Sequence, residues 1–191
     1  MSVREILSIG DPALRERSRE LSVDEIRSPE IQTLIDDLIE TKRAANGAGL
    51  AANQVGEAVR VAIVEVEPGN PRYPYKPPVP LTVIVNPEIE PLDAETVDIN
   101  EGCLSIPDLR GEVPRSVSIR VRYRDRYGNE RVEEQRGLTA GTFQHEVDHL
   151  DGVLFVDRAD PRTLATWDHY ERHRREDFER RARELTDRVG S

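Results

Sequence analysis

The sequence predicts an α+β fold, in which short, mostly antiparallel strands pack around a central helix, with helices near the N-terminus and a long helix at the C-terminus. Three observations support this fold class. Helical patterns occur near both ends of the chain, short runs of branched apolar residues lie between them, and a further helical segment follows those runs. Runs of strands followed by helices, rather than alternating units, are typical of α+β domains.

Two helices are predicted in the N-terminal part. Asp11 and Pro12 supply an N-cap and a first-turn proline for a short helix over ALRERSREL. Ser28 and Pro29 open a longer helix that ends near Asn46-Gly47. Its apolar residues recur at i, i+3, i+4, i+7 and i+8, and they are Ile31, Leu34, Ile35, Leu38 and Ile39. This stripe predicts a helix with one face packed on the core.

Strands are predicted in the middle of the chain. Residues 59–66 (VRVAIVEV) and 81–85 (LTVIV) are rich in branched apolar residues, and apolar and polar residues alternate from Val117 to Tyr123 before a turn at 127–129. The segment 67–80 between the first two strands is rich in proline. It predicts a stiff loop, partly polyproline II, and a docking segment for an aromatic groove is the alternative interpretation.

The C-terminal part contains two more predicted helices. The first covers residues 138–151, with Phe143, Val147 and Leu150 at helical spacing and a stop at Asp151-Gly152. The second runs from Pro161 to about Val189 and is highly charged. A length of 191 residues fits one domain over 1–191, with a core to about residue 158 and the C-terminal helix over about 161–189.

Composition excludes several classes of protein. The net charge of −10 argues against broad neutralisation of phosphates, so no specific DNA binding is expected. Cys103 is the single cysteine, which rules out a disulfide within the chain. No apolar run is long enough for a membrane span, and the N-terminus lacks the pattern of a signal peptide. We expect a soluble, cytoplasmic protein with no membrane partner.

The segment FQHEVDHLDG predicts a metal site on the central helix. His145 and His149 lie four residues apart, so a helix places both on one face, one turn apart, where they can share an ion. Glu146 lies on the flank of that face, where it can reach a metal-bound water without ligating the ion, as a general base must.

The third ligand has several candidates. A histidine at position 155 would complete one protease pattern, but the chain has Phe155 there. Other zinc peptidases use a glutamate on a later helix, and three are available: Glu171, Glu176 and Glu179. Cys103 is the upstream candidate, and its neighbours Gly102 and Pro107 suggest a loop that presents the thiol. A second pair, His169 and His173, sits in a charged segment and is interpreted as surface.

Three motifs occur in order: GAGLAANQ at 47–54, EGCLS at 101–105 and HEVDH at 145–149. Together they resemble the peptide deformylase family, over about residues 6–154. The resemblance implies an enzyme that removes the formyl group from the N-terminal formylmethionine of nascent polypeptides and releases formate. It also implies that the nucleophile is a hydroxide generated at the metal.

The resemblance assigns roles to individual residues. The metal ligands correspond to Cys103, His145 and His149, and Glu146 corresponds to the catalytic acid/base. Groups that bind the formyl oxygen correspond to Gln54 and the backbone N–H of Leu104. The implied cofactor is one divalent ion, natively Fe²⁺, for which Zn²⁺, Ni²⁺ or Co²⁺ can substitute.

The resemblance also indicates a substrate pocket. The expected lining of the methionine pocket is Ala48, Ile99, Leu138 and Thr142, although ordinary core packing explains Ile99 and Leu138 equally well. Gly49 would let the peptide backbone approach as an added strand. Arg110 would lie near the site or on the surface, and Asp148 would orient a ligand histidine or face solvent. The chain departs from the family at Asn100, at Phe143 and in the length of the proline-rich loop.

Two other functions stay open on the sequence alone. One is a zinc metallo-endopeptidase with a downstream glutamate ligand, and the other is a catalytically inactive binding module of the same fold. The C-terminal helix raises a further question, because its arginines could face ribosomal RNA or form ion pairs on a solvated surface. The resemblance to bacterial deformylases implies docking of this helix near the ribosomal exit tunnel.

Overall fold

The computed structural model describes residues 2–191. Its strands are β1 (Gly49–Ala51), β2 (Val61–Val66), β3 (Val79–Pro91), β4 (Thr96–Cys103), β5 (Ile106–Ser116), β6 (Ser118–Arg124), β7 (Glu130–Arg136) and β8 (Ala165–Thr166). Its α-helices are α1 (Val23–Ile26), α2 (Pro29–Ala44), α3 (Gly137–Leu150), α4 (Phe155–Arg158), α5 (Trp167–His173) and α6 (Arg175–Val189). This order confirms the predicted α+β class. The prediction of one domain over 1–191 stays a prediction.

The larger sheet carries most of the core. Its strand order is β1-β2-β3-β6-β7, and all of its pairings are antiparallel. Every residue of β2 is buried, because the strand lies between neighbours on both sides and its faces are covered by α2 and α3. The apolar stripe of α2 packs on β1 and β2, and Ser28 caps this helix by accepting a hydrogen bond from the Ile31 amide (3.3 Å).

The smaller sheet positions the cysteine. It consists of β4, β5 and β8, and the hairpin of β4 and β5 turns between Cys103 and Ile106. Cys103 is therefore the last residue of a strand. Its neighbours Gly102 and Pro107 had suggested a loop instead. Strands β4 and β5 were not predicted from the sequence, and the same is true of β7 at the edge of the larger sheet.

The predicted central helix is confirmed as α3. It is buried along almost its whole length between the two sheets and α6. Gly152, just beyond its end, has a φ of +74°, and a Cβ at this position would lie 2.4 Å from the carbonyl oxygen of Arg15. Only glycine fits both constraints, so the predicted stop after Asp151 is correct.

Two predicted helices differ from the structure. The N-terminal one is a single 3₁₀ turn, Pro12–Arg15, because the chain then extends to form a bridge between Arg19 and Val59. The C-terminal one does not start at Pro161. A 3₁₀ turn, β8 and α5 come first, and the long helix α6 begins at Arg175. No helix among residues 2–191 is long and apolar enough to cross a membrane.

Candidate metal centre

The fold brings three potential metal ligands together. Helix α3 supplies His145 and His149, and the end of β4 supplies Cys103. One ligand atom from each of the three residues lies within 4.8 Å of the other two. Among residues 2–191, this is the one such group of histidine, cysteine and acidic side chains that the structure contains. A thiolate and two imidazoles suit Zn²⁺ or Fe²⁺ better than Mg²⁺ or Ca²⁺, which prefer oxygen ligands.

The Cys103 thiol is prepared for ligation. Its Sγ lies 3.2 Å from Nε2 of His149, and the Ser105 amide donates a hydrogen bond to it (3.4 Å). Burial alone would raise the pKa of Cys103, but the charges and hydrogen bonds of His149 and His145 outweigh that effect and lower it to about 5. A thiolate is the form that binds metals, so the local environment favours the ligating state.

A buried chain of charged groups holds His145. Its Nδ1 lies 2.9 Å from Oε2 of Glu101, and the guanidinium of Arg115 binds both oxygens of the same carboxylate (2.7 and 2.9 Å). Burial would raise the pKa of Glu101. The charges and hydrogen bonds of Arg115 and His145 outweigh this effect and hold the pKa well below its usual range. Glu101 therefore fixes the ring of His145, leaving Nε2 directed at the ligand group.

Asp148 does not have the predicted role. Its carboxylate accepts hydrogen bonds from Arg115 (2.6 Å) and Arg158 (2.8 and 2.9 Å), which ties α3 to β5 and α4. Glu101, which the sequence analysis did not single out for this purpose, is the acid in contact with a ligand histidine. The Asp148 prediction was wrong because a helix sequence does not show which strand faces a given side chain.

Glu146 lies beside the ligand group with an unsatisfied carboxylate. The residue is 3% exposed, and its Oε2 has no hydrogen-bond partner among the described residues. Burial raises its pKa, which makes it a better proton acceptor than an exposed glutamate. A Cβ on Gly49 would lie 2.3 Å from Oε1 of Glu146, so the glycine is needed to leave room for the carboxylate.

Gln54 is held next to Cys103 by two hydrogen bonds. The Ala51 amide donates to its Oε1 (2.9 Å), and its Nε2 donates to Oγ of Ser105 (3.0 Å). The same Nε2 lies 3.6 Å from Sγ of Cys103. Because Oε1 is anchored by the backbone, the amide donors stay directed at the ligand group.

The predicted site residues gather around one cavity of about 40 Å³. Its lining includes Ala48, Gly49, Gln54, Ile99, Cys103, Leu104, Arg110, Leu138, Thr142, His145 and Glu146. His149 lies behind this surface and is 1% exposed. Ile99 and Leu138 also pack against Phe178 and Leu185 of α6, so they belong to the core as well as to the cavity wall.

Arg110 is buried in the wall of this cavity and is not a surface arginine. Its Nε donates to Oδ1 of Asn100 (2.7 Å), and its Nη2 donates to the hydroxyl of Tyr75 (3.1 Å). The guanidinium also lies 4.4 Å from the ring centre of Tyr170 and 4.8 Å from that of Trp167. Its Nη1 is buried with no partner among the described residues.

Sequence reasoning missed several residues that line the cavity. Tyr73, Tyr75 and Lys76 come from the proline-rich loop, which folds over the opening. Gly141 of α3 also lines it. The sequence did contain a signal, because two tyrosines and a lysine lie within a stiff loop. Such a pattern does not show which surface the loop covers.

The rival third ligands lie away from the histidines. Glu171 and Glu179 both pair with Arg175 (3.2 and 2.8 Å) on the surface of α5 and α6. Glu176 is exposed in the first turn of α6. His169 and His173 stack with their ring centres 5.7 Å apart, and both are exposed, as predicted.

Comparison with known protein families gives one consistent result. The sequence pattern of the polypeptide deformylase family matches residues 3–165. Peptide deformylase 2 of Nostoc sp. is 47% identical over 155 residues, which is 81% of this chain and 85% of that protein. The peptide deformylase of Leptospira biflexa is 47% identical over 158 residues, covering 83% of this chain and 88% of that protein.

Solved structures agree with the sequence relatives. The Met-Ala-Ser-bound crystal structure of the class I type b peptide deformylase from Acinetobacter baumannii matches with a TM-score of 0.79 and 40% identity, over 83% of this chain and 99% of that one. The peptide deformylase from Thermotoga maritima matches with a TM-score of 0.73 and 37% identity, over 84% and 100% of the two chains.

Proposed function

The chain belongs to the polypeptide deformylase family, and from this premise we propose which of its side chains carry the reaction. It is a metal-dependent hydrolase that removes the formyl group from the N-terminal formylmethionine of nascent polypeptides. The endopeptidase and the inactive module are not favoured. The observation that carries our assignment of roles is the unpartnered carboxylate oxygen of Glu146 beside three converging ligand atoms.

One divalent ion is proposed to bind Cys103, His145 and His149. The residues fit such an ion, because the thiol is biased toward thiolate and Glu101 holds the ring of His145. When bound, the ion supplies a Lewis acid that polarises the formyl carbonyl and makes a water acidic near neutral pH. We propose Fe²⁺ as the native ion, with Zn²⁺, Ni²⁺ or Co²⁺ as substitutes, on the basis of the family alone.

Glu146 is proposed to move the proton. Its carboxylate occupies the space that a side chain at Gly49 would fill. Its free Oε2 can accept a proton from the attacking water. The same oxygen can then deliver that proton to the departing amine, which becomes the new N-terminus while formate leaves. Burial keeps bulk water from competing for this carboxylate, so the proton passes from the attacking water to the departing amine.

Gln54 and the backbone N–H of Leu104 are proposed to stabilise the charge that develops on the formyl oxygen. Both residues line the cavity together with Cys103. The anchoring of Gln54 through Oε1 keeps its Nε2 beside Cys103, where it can donate to the formyl oxygen. Donors fixed before the reaction need no reorganisation when the charge forms.

The first side chain of the substrate is proposed to enter the cavity between Ala48, Ile99, Leu138 and Thr142. These residues form its walls, and Gly49 at the rim leaves the backbone of β1 open to an extended peptide. The Acinetobacter relative was crystallised with Met-Ala-Ser bound, which supports a site that holds a peptide beginning with methionine. Arg110 lies at the same cavity and is proposed to contact the substrate through its free Nη1.

We also propose that α6 binds the ribosome. A cytoplasmic location is proposed as well, because nascent chains are made in the cytoplasm. Most arginines of α6 already form ion pairs, such as Arg180 with Asp177 (2.5 Å) and Glu184 (2.9 Å). Ion pairing therefore accounts for much of this surface. An Arg180→Glu/Arg183→Glu variant that cosediments with ribosomes as well as the unaltered protein would remove the docking proposal.

Replacement of Glu146 tests the assignment of roles. We expect Glu146→Ala to bind one metal ion per chain and to lose nearly all formate release from a formyl-Met peptide, because the base is removed and the ligands stay. Cys103→Ser is the matched variant, and it should lose the metal. Normal turnover in Glu146→Ala would refute the proposed role, and loss of its metal would indicate that the glutamate is a ligand.

A further inference from the structure

Lys76 comes from the proline-rich loop and lines the same cavity as Cys103 and His145. Only two of the 27 basic side chains of the protein are lysines, namely Lys42 and Lys76. Lys42 is fully buried against Glu65 in the core. Lys76 has no such carboxylate partner, so it calls for a separate explanation.

The ammonium of Lys76 makes one hydrogen bond among residues 2–191. Its Nζ donates to Oγ1 of Thr142 (2.7 Å), whose own hydrogen goes to the carbonyl oxygen of Leu138 (3.1 Å). The ring centre of Tyr73 lies 5.0 Å from Nζ. No carboxylate of the described residues lies within 4.0 Å of it, although an ammonium carries three N–H donors. Two donors are therefore left for a ligand or water.

Lys76 is half-buried, and its ammonium is partly desolvated. Burial lowers the pKa of Lys76 to about 8, against the opposing effect of the negative charges of Glu101 and Glu146. At neutral pH the group is still mostly charged. A partly desolvated charge is stabilised by an acceptor that enters with the substrate, because the fold has already met part of the desolvation cost.

Part of the cavity wall is apolar, although polar side chains such as Gln54, Arg110 and Glu146 also line the cavity. Ala48, Ile99 and Leu138 form the apolar part, and Gly141 contributes no side chain. A Cβ on Gly141 would lie 2.5 Å from Cδ1 of Ile99, so the wall is closely packed here. The stem of a substrate side chain therefore meets hydrocarbon, and its tip meets Thr142 and Lys76.

The loop that carries Lys76 is held in place by the C-terminal helices. Tyr75 accepts a hydrogen bond from Arg110 and packs its ring edge-on against Phe178, with ring centres 5.0 Å apart. The guanidinium of Arg72 lies 5.3 Å from the ring centre of Trp167. These contacts hold the loop just before Lys76, so the ammonium is positioned before the substrate arrives.

We propose that Lys76 is a specificity-determining residue of the first side-chain pocket, where its ammonium donates hydrogen bonds to the tip of the side chain. The pocket therefore favours side chains that end in an acceptor, such as methionine sulfoxide, over hydrocarbons of the same length, such as norleucine. The thioether of methionine, a weak acceptor, lies between them. This inference rests on the proposed pocket and extends it to a substrate class.

Formyl peptides that differ in the first residue provide the test. Formate release is measured for formyl-norleucine, formyl-methionine and formyl-methionine sulfoxide peptides that are otherwise identical. For the unaltered protein we expect kcat/KM for the sulfoxide to exceed that for norleucine by about 10-fold or more, because hydrogen bonds to charged donors are among the stronger ones. In Lys76→Met this preference should reverse, since the linear apolar side chain keeps the shape without the donors.

Two further variants separate the specific effect from a general one. Arg122→Met removes an exposed cation of β6 that does not line the pocket, and it should keep the preference. Lys76→Arg should restore part of it. An unchanged ratio of the two kcat/KM values in Lys76→Met would overturn the inference, and so would an equal change in kcat/KM for all three peptides, which would show that Lys76 merely fills the pocket. Failure of the unaltered protein to hydrolyse formyl-methionine would instead overturn the function on which the inference rests.

Discussion

Replacement of Gly49 by alanine should disable the enzyme without removing the metal. An added Cβ would lie 2.3 Å from Oε1, 2.5 Å from Cδ and 2.8 Å from Cγ of Glu146. Ordinary contacts begin near 3.4 Å. The carboxylate must therefore move by about 1 Å, and a displacement of that size in a reacting group can lower the rate by ~10²-fold.

The stability cost of this change should be modest. The colliding atoms are the end of a side chain next to a cavity of about 40 Å³, so the carboxylate can swing aside. We expect a loss of about 1 kcal/mol, at the low end for overpacked cores. The effect on kcat should be at least ~10²-fold, because a positioned general base contributes ~10²–10⁴-fold.

The assay measures formate release, metal content and thermal unfolding of Gly49→Ala together. Gly102→Ala is the matched control, because a Cβ there would meet its nearest atom, the carbonyl oxygen of Leu109, at 3.4 Å. That variant should lose less than about 10-fold in kcat, since nothing need move. If Gly49→Ala kept one metal ion and near-normal kcat, the reasoning from the Glu146 position would be refuted.

Three other predictions concern the surrounding structure. Arg115→Met should lower the free energy of unfolding by about 3–5 kcal/mol, because Glu101 and Asp148 would lose their buried cation, and a thermal shift equivalent to under 1 kcal/mol would contradict this. Hydrogen bonds from Arg43 and Lys42 of α2 lower the pKa of Glu65 from 4.5 to about 2, so its stabilisation is present above pH 4.5 and is lost as the pH falls through 2. Glu65→Gln should therefore cost about 3 kcal/mol at pH 7 and progressively less in urea titrations between pH 5 and pH 2, whereas a pH-independent difference would exclude this origin. Gln54→Ala should lower kcat by ~10²-fold with metal content unchanged, and a loss confined to KM would argue against its contact with the developing oxyanion.

The sequence predicted those elements whose signals are local. Helix α2 follows from an apolar stripe and a serine cap, and α3 follows from apolar spacing and a glycine stop. Strands β4 and β5 were missed because they combine glycine, proline and buried polar residues such as Asn100, and their pairing depends on contacts between distant segments. Strand β7 is almost wholly exposed, so it has no apolar alternation to detect.

The chemistry of the site was predicted more fully than its surroundings. The spacing of His145, Glu146 and His149 is set by one helix turn, so sequence alone places them. Glu101, Arg115 and Lys76 were not assigned to the site, because a charged residue is expected on the surface unless its partner is known. Those partners lie on other strands and on a loop, and only the fold brings them together.

X-ray absorption at the metal edge tests the central claim most directly. For protein purified without oxygen, we expect one sulfur neighbour at about 2.3 Å and lighter neighbours at about 2.0–2.1 Å with the multiple scattering of imidazole. The sulfur shell should disappear in any metal retained by Cys103→Ser. A spectrum with oxygen and nitrogen neighbours alone in the unaltered protein would contradict the assignment of Cys103, His145 and His149 as the ligands.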